Sequence, residues 1–179
     1  MHGNLAGVML WLRVTARTSS LLLVCAFAGP ALARLWPSAL SQWMASNRHR
    51  FTLLFALSHT LHLAGIVMLA TLSPAQFVTK KGLLVQIPGA SVYVLIYFLA
   101  YMAFTRRRNP ELADTKMQTF GLYLLWGIFT LAFTAGIWKN ALIYAPLAVM
   151  MWAALTARIA AKRVTALRPQ SPAAAERAV

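Results

Sequence analysis

The chain has 179 residues, of which 60% are hydrophobic and only 11% are charged, and its mean hydropathy is +0.64. A water-soluble domain carries roughly 25% charged residues, so this composition excludes an ordinary soluble domain. The formal net charge is +14, from 17 Lys and Arg against 3 Asp and Glu. Because the basic residues lie between apolar runs, we interpret them as a topology signal and expect no nucleic-acid binding.

Five apolar segments have about the length of a membrane span, for which roughly 20 apolar residues are needed. In chain order they lie at about 14–35, 51–72, 90–105, 118–138 and 141–161. Together they form one transmembrane domain, and the lipid bilayer is its first expected partner. The sequence therefore predicts an all-α fold, an integral membrane helical bundle of about five transmembrane helices.

Three further segments lie between or beyond these spans. Residues 1–13 form an N-terminal segment that precedes the first span. Residues 37–47 alternate polar and apolar residues and are predicted to form a short helix along the membrane interface. Residues 162–179 are predicted to form a flexible tail, since the segment is rich in Ala and Pro and contains several basic residues.

The distribution of basic residues predicts the orientation of the spans. Five crossings put the two termini on opposite sides, with five Lys and Arg on the N-terminal side. Twelve fall on the other side: Arg34, Arg48, Arg50, Arg106, Arg107, Arg108, Lys116, Arg158, Lys162, Arg163, Arg168 and Arg177. Because basic residues are enriched on the cytoplasmic side, the N-terminus is predicted to lie outside and the C-terminal tail in the cytoplasm.

The predicted spans lack several residue types, and their absence disfavours several classes of function. The three acidic residues, Glu111, Asp114 and Glu176, lie outside every predicted span, which disfavours proton-coupled transporters and carboxylate-bridged metal sites. Cys25 is the single cysteine, so an intrachain disulfide is excluded. No Gly-rich loop follows a strand, and a redox function would therefore need electrons from a separate partner.

Two histidines, His59 and His62, lie inside the second predicted span. Their i,i+3 spacing puts both imidazoles on one face of a helix. An ionisable residue inside a span is costly and is a candidate functional residue, and neutral imidazole is a common ligand of metals and haem iron. The structural alternative is that Ser58, His59 and Thr60 form hydrogen bonds between helices.

Geometry restricts how this pair would bind haem. Two axial ligands approach the iron from opposite faces, which two histidines one turn apart on one helix do not easily do. A six-coordinate haem would therefore need a second ligand from another helix, or from a second copy of the chain in a homo-oligomer. His2 and His49 lie outside the apolar spans, which leaves methionines as alternatives: Met102, Met117 and Met150.

Two stretches resemble the ferric reductase-like transmembrane domain family: NRHRF (47–51) with FALSHTLHL (55–63), and TFGLYLLW (119–126). The similarity extends over roughly 14–161. The family includes the membrane cores of ferric reductases and NADPH oxidases and the haem-binding membrane subunit of a bacterial periplasmic methionine sulfoxide reductase system. The resemblance implies haem b held between two helices, electron transfer through it, and the bacterial inner (cytoplasmic) membrane.

The resemblance also assigns roles to particular residues. His62 matches the histidine of the family's xxLH pattern and is the expected axial ligand of the haem iron, with His59 as the additional histidine of an SHxxH pattern. In the family pattern LHTxGLYxLW the partner histidine corresponds to Gln118, and an amide is a poor ligand for iron. No histidine follows at 130–135. A two-haem path is therefore not expected, which leaves one haem with an unusual ligand set or a member without haem.

The leading functional prediction is a membrane redox protein that binds haem b and lacks its own flavin or nicotinamide domain. Its electrons would come from a membrane quinol or a separate reductase, and the sequence leaves open whether the protein is itself an enzyme. The alternative is a non-enzymatic accessory or scaffold subunit in which the histidines pack helices. A small transporter is a third class, disfavoured because no charged residue or broken helix pair marks a midplane site.

Overall fold

A computed structural model describes residues 2–108 and 116–167, without the side chains of 2–4, 76, 78–88 and 107. Six helices account for nearly all of this described part, in which no strand occurs. They are α1 (His2–Leu35), α2 (Ala39–Ser46), α3 (Arg48–Leu72), α4 (Pro74–Arg108), α5 (Lys116–Ile137) and α6 (Ala141–Leu167). The all-α prediction is confirmed.

Five of the six helices are long and apolar enough to cross a membrane, as the sequence predicts. Their apolar segments are Leu5–Leu35, Arg48–Leu72, Gly89–Arg106, Lys116–Ile137 and Ala141–Leu167. The short helix predicted over 37–47 is present as α2. It begins with a capping box in which Ser38 and Ser41 each accept a hydrogen bond from the backbone N–H of the other, at 3.2 and 2.9 Å.

The helices extend beyond the predicted spans at both ends of the chain. α1 begins at His2 rather than near residue 14, because residues of its first turns pack against α3. At Gly65 of α3 the side chains of Trp11 and Leu12 come so close that an added Cβ would lie 2.8 and 2.9 Å from them. α6 continues to Leu167, so 162–167 are helical, and the remainder of the predicted tail, 168–179, lies outside the described residues.

α1 is the central helix of the bundle. It contacts α2, α3, α5 and α6, and its most extensive contact is with α3. The buried core is apolar and aromatic, and its largest fully buried side chains include Leu23 and Phe27 of α1, Phe55 of α3, Leu99 of α4 and Leu125 of α5. Three polar residues of α1, Thr15, Ser19 and Ser20, are buried, so their hydroxyl groups must find partners within the protein.

Successive long helices run in opposite directions, which gives the bundle two chemically different ends. We call one the α2 end: α1 and α6 finish there, and α3 and α5 begin there. Arg34, Arg48, Thr119 and Arg158, one from each of these helices, line a common cavity at this end. The residues that the charge pattern assigns to the cytoplasmic side thus include side chains that the fold brings together.

The α5–α6 contact generates a stability prediction at Gly136. An ideal Cβ at this position would lie 2.6 and 2.7 Å from the Cδ1 and Cγ atoms of Tyr144, whereas nothing lies within 4 Å of one at Gly127. Overpacking costs about 1–3 kcal/mol, while Ala favours a helix over Gly by about 1 kcal/mol. Gly136→Ala should therefore lower the thermal unfolding midpoint in detergent, and Gly127→Ala should leave it unchanged or raise it.

A double-mutant cycle controls for other effects of the added methyl group. In a Tyr144→Ala background the ring is absent, so adding Gly136→Ala should cost no further stability. Equal midpoints for Gly136→Ala and Gly127→Ala would contradict the close packing of α5 against the ring.

Candidate functional site

The two histidines lie near the middle of α3 and share a face, as their spacing predicts. Their rings are stacked, with centroids 5.2 Å apart and planes inclined by 27°. His59 is 9% exposed and His62 is half-buried. The same helix continues for about three turns on either side, so both imidazoles are held well inside the apolar segment.

A polar seam joins α1 to α3 beside the histidines, and we define it by Trp11, Thr15, Ser19, Ser58 and His62. The Thr15 hydroxyl lies 2.9 Å from Nδ1 of His62, and the Ser19 and Ser58 hydroxyls are 3.0 Å apart. The Trp11 indole N–H donates to the Leu61 carbonyl at 2.9 Å. Because the three α1 residues follow an i,i+4,i+8 pattern, they form one face of that helix.

The seam favours one tautomer of the His62 ring. The Thr15 hydroxyl donates to the Trp11 carbonyl at 2.8 Å, so its oxygen is available to accept from Nδ1–H of His62. In this tautomer Nε2 carries the lone pair. In histidine ligands of metals, one ring nitrogen usually donates a hydrogen bond while the other binds the metal. The hydrogen bond from Nδ1–H fixes both the tautomer and the ring orientation and leaves Nε2 to bind the metal.

His59 has different surroundings, which we call the aromatic cluster. The rings of Phe55, Tyr93 and Phe129, from α3, α4 and α5, have centroids 5.6, 5.1 and 5.4 Å from the His59 centroid. Nδ1 of His59 and the Tyr93 hydroxyl are both buried without a hydrogen-bond partner among the described residues. A buried polar atom without a hydrogen-bond partner lowers the stability of the fold by about 1–3 kcal/mol. A bound molecule that made hydrogen bonds to His59 and Tyr93 would therefore stabilise the cluster.

The residue of α5 that lies level with the histidines is Phe129, not Gln118. Gln118 is buried in the first turn of α5. The two positions are eleven residues apart in the sequence, which corresponds to about 16 Å along the helix axis. Gln118 therefore lies away from the histidine pair, toward the α2 end of α5.

The histidine pair therefore offers haem a ligand on one side only. His62 offers a ligand atom of suitable chemistry, whereas α5 presents the phenyl ring of Phe129 on the side of His59. Of the other candidates, Met117 is exposed at the start of α5, and Met150 lines an apolar groove against residues 24–35 of α1 and Trp36. His62 contacts α1 at Thr15, which lies nine residues before Val24, the first α1 residue of that groove. Nine residues correspond to about 13 Å along the helix, so Met150 is far from His62. Met102 lies nine residues along α4 from Tyr93, the α4 residue beside His59, which corresponds to about 13 Å along the helix. We identify no second ligand beside His62 in the described part of the chain.

The structural role predicted for the neighbouring polar residues is also present. Ser58 meets Ser19 of α1, and the Thr60 hydroxyl lies 3.1 Å from that of Tyr97 on α4. Sequence reasoning did not single out Thr15 or Ser19. The signal that would have found them is the i,i+4 spacing of two hydroxyl residues in an apolar segment, which marks a face directed at another helix.

No protein-family model matches the chain, and neither a curated protein nor a solved structure matches it significantly. Among the described residues, no three His, Cys, Asp or Glu side chains group together in a way that could hold a metal ion. Axial ligation of haem needs a single histidine, so the candidate site consists of His62 with His59 beside it.

The Thr15–His62 contact generates a prediction that separates it from ordinary helix packing. Thr15→Val keeps the shape of the side chain but removes the acceptor for Nδ1–H, and should cost about 0.6 kcal/mol, up to roughly 1.7, of bundle stability. It should also let both neutral tautomers of His62 appear in the ¹⁵N spectrum of histidine-labelled protein. The matched control is Thr18→Val, since Thr18 is exposed and donates to the Val14 carbonyl of its own helix.

If Thr15→Val and Thr18→Val have the same unfolding midpoint and the same His62 spectrum, the seam does not fix the ring.

Proposed function

We propose that the protein is a membrane redox protein of the ferric reductase-like type, which binds one haem b through Nε2 of His62. The observation that carries this proposal is the Thr15–His62 hydrogen bond, because with Nδ1–H as its donor the lone pair is on Nε2, the ring nitrogen that would bind haem iron. The resemblance of 47–51, 55–63 and 119–126 to that family supports it independently.

Haem b, when bound, supplies one-electron redox chemistry in this class of protein. The chain's own residues would hold the group and control its surroundings. Thr15 orients the His62 ring, and the rings of Phe55, Tyr93 and Phe129 keep the adjacent space dry. The electron donor would be a membrane quinol or a separate reductase, since the sequence contains no Gly-rich dinucleotide motif.

The proposed haem would have one protein ligand from the described part of this chain. A second copy of the chain would be one source of an opposing histidine, if a two-fold axis passed beside His62. A homo-oligomer and a monomer therefore differ in the number of histidine nitrogens bound to iron.

A second candidate function is a non-enzymatic accessory or scaffold subunit without haem. The observation that favours it is the aromatic cluster, in which Phe55 and Phe129 pack on His59 as they would in an apolar core. In that case the histidine pair would serve only to join α3 to α1, α4 and α5.

We also propose that the chain lies in the bacterial inner membrane with its N-terminus outside and its C-terminus in the cytoplasm. The excess of Lys and Arg at the α2 end supports this orientation.

A spectroscopic experiment separates the two candidate functions. The protein is expressed with added haem precursor, purified in detergent, and measured by a reduced-minus-oxidised difference spectrum and a pyridine haemochrome assay. The redox proposal predicts a Soret band and a dithionite-sensitive α band that His62→Ala abolishes. His59→Phe, which extends the aromatic cluster, and His49→Ala, at the start of α3, should both retain haem.

Size-exclusion chromatography establishes that each variant is folded. A colourless wild-type protein after haem supplementation would exclude the redox proposal and favour the accessory role. Full haem content in folded His62→Ala would exclude His62 as the ligand.

Reporter fusions test the orientation. Green fluorescent protein fused after Val179 should fluoresce, and alkaline phosphatase fused there should be inactive, because the first folds in the cytoplasm and the second only outside it. The opposite pair of results would contradict the proposed orientation.

A further inference from the structure

Two polar groups of the aromatic cluster, Nδ1 of His59 on α3 and the hydroxyl of Tyr93 on α4, are buried side by side. Neither has a hydrogen-bond partner among the residues that the structure describes, and the centroids of the two rings are 5.1 Å apart. The Tyr93 ring is half-buried but its hydroxyl oxygen is fully buried, so the hydroxyl is directed away from the lipid-facing surface. Buried polar groups are nearly always hydrogen-bonded, so this pair indicates a bound partner.

The next tyrosine of α4 shows that the α3–α4 contact can pair a phenol hydroxyl. Tyr97 lies one turn along α4 from Tyr93, and its hydroxyl is 3.1 Å from that of Thr60 on α3. The missing partner of the Tyr93 hydroxyl is therefore a feature of the place where Tyr93 meets His59, not of the whole contact between the two helices.

Space for a bound molecule lies one turn from Tyr93 in the opposite direction. Gly89 is four residues before Tyr93 in α4, so the two positions share one face of the helix. A Cβ added at Gly89 would meet no described atom within 4 Å outside its own stretch of helix. Because α3 and α4 run in opposite directions, the step from Tyr93 to Gly89 follows the step from His59 to His62. The open space therefore lies at about the level of His62.

The depth of this place in the bundle restricts the ligand to a lipid-soluble molecule. His59 lies eleven residues after Arg48, the first residue of α3, which corresponds to about 16 Å of helix. Thr60, Leu61 and Tyr97 are exposed on the outer side of the α3–α4 contact, so a molecule dissolved in the bilayer can approach from there. An acyl chain would make no hydrogen bonds to the unpaired groups, so the ligand must carry polar oxygens on an otherwise apolar body.

We infer that Nδ1 of His59 and the Tyr93 hydroxyl bind the ring oxygens of a lipid-soluble quinone, with its ring in the space beside Gly89. An imidazole and a phenol can each donate or accept a hydrogen bond. They can therefore pair with the carbonyl oxygens of the quinone and with the hydroxyl groups of its quinol form. Phe55 and Phe129 provide apolar surroundings for the ring. The choice of a quinone among lipid-soluble molecules rests on the proposed redox function, in which a membrane quinol is a candidate electron donor.

A titration without haem tests the site. Protein expressed without haem precursor is purified in detergent and titrated with decylubiquinone at constant detergent concentration, and the thermal unfolding midpoint is measured at each step. Decylbenzene, which has the same chain and a ring without oxygen atoms, is the control ligand. Decylubiquinone should raise the midpoint saturably, because a ligand that binds only the folded protein stabilises it, and decylbenzene should not.

The titration and the haem spectra give separate answers. A protein that stays colourless after haem supplementation but binds decylubiquinone would exclude the redox proposal and support this site. A protein that binds haem but not decylubiquinone would support the redox proposal and exclude this site.

Two tyrosine variants form a matched pair. Tyr93→Phe removes an unpaired hydroxyl, so it should keep or raise the midpoint without ligand, yet weaken the apparent affinity for decylubiquinone about tenfold. Tyr97→Phe removes a hydroxyl that already has Thr60 as its partner, so it should change the affinity less than about twofold. A purely structural role of Tyr93 would not combine unchanged stability with weaker binding.

Two glycine variants test the space itself. Gly89→Leu fills it and should weaken decylubiquinone binding about tenfold or more, because the ring would be displaced. Gly127→Leu on α5 is the matched control, since a Cβ at that position also meets nothing within 4 Å, and it should leave the affinity unchanged.

Three results would overturn the inference. The first is the absence of a saturable rise with decylubiquinone in the wild type, which would mean that water alone bridges His59 and Tyr93. The second is an equal rise with decylbenzene, and the third is equal affinity in Tyr93→Phe and Tyr97→Phe.

Discussion

Hydrocarbon offers no partner to a polar side chain, and this constraint fixes α1 against α3. Thr15 and Ser19 must find partners within the protein, and they meet His62 and Ser58. The small surface of Gly65 then lets the ring of Trp11 approach α3 closely. Because α1 is also the helix that α2, α5 and α6 contact, the seam that positions His62 also positions the rest of the bundle.

The molecule separates two kinds of chemistry along α3. His62 lies fourteen residues beyond Arg48, which corresponds to about 21 Å of helix. The imidazole of His62 lies within the apolar segment, where a ligand of iron would be held, whereas the α2 end contains the buried arginines Arg48 and Arg158.

Composition and span length are enough to predict the all-α bundle, because a low charge content and five apolar segments permit few other folds. The pairing of His59 and His62 on one face likewise follows from helix periodicity. The residues opposite them do not follow from sequence, since the level at which two helices meet depends on their tilt and on side-chain packing. Phe129 rather than Gln118 therefore faces His59, and Arg158, which the charge pattern counts only as a topology signal, is a buried residue that joins α6 to Phe27.

Ligation of haem iron by His62 is tested most directly by pulsed electron paramagnetic resonance of the ferric protein labelled with ¹⁵N-histidine. A histidine nitrogen coupled to the iron should be detected in the wild type and in His59→Phe, and it should be lost in His62→Ala. A spectrum without such a coupling, or a coupling that persists in His62→Ala, would contradict the assignment of His62 as the axial ligand.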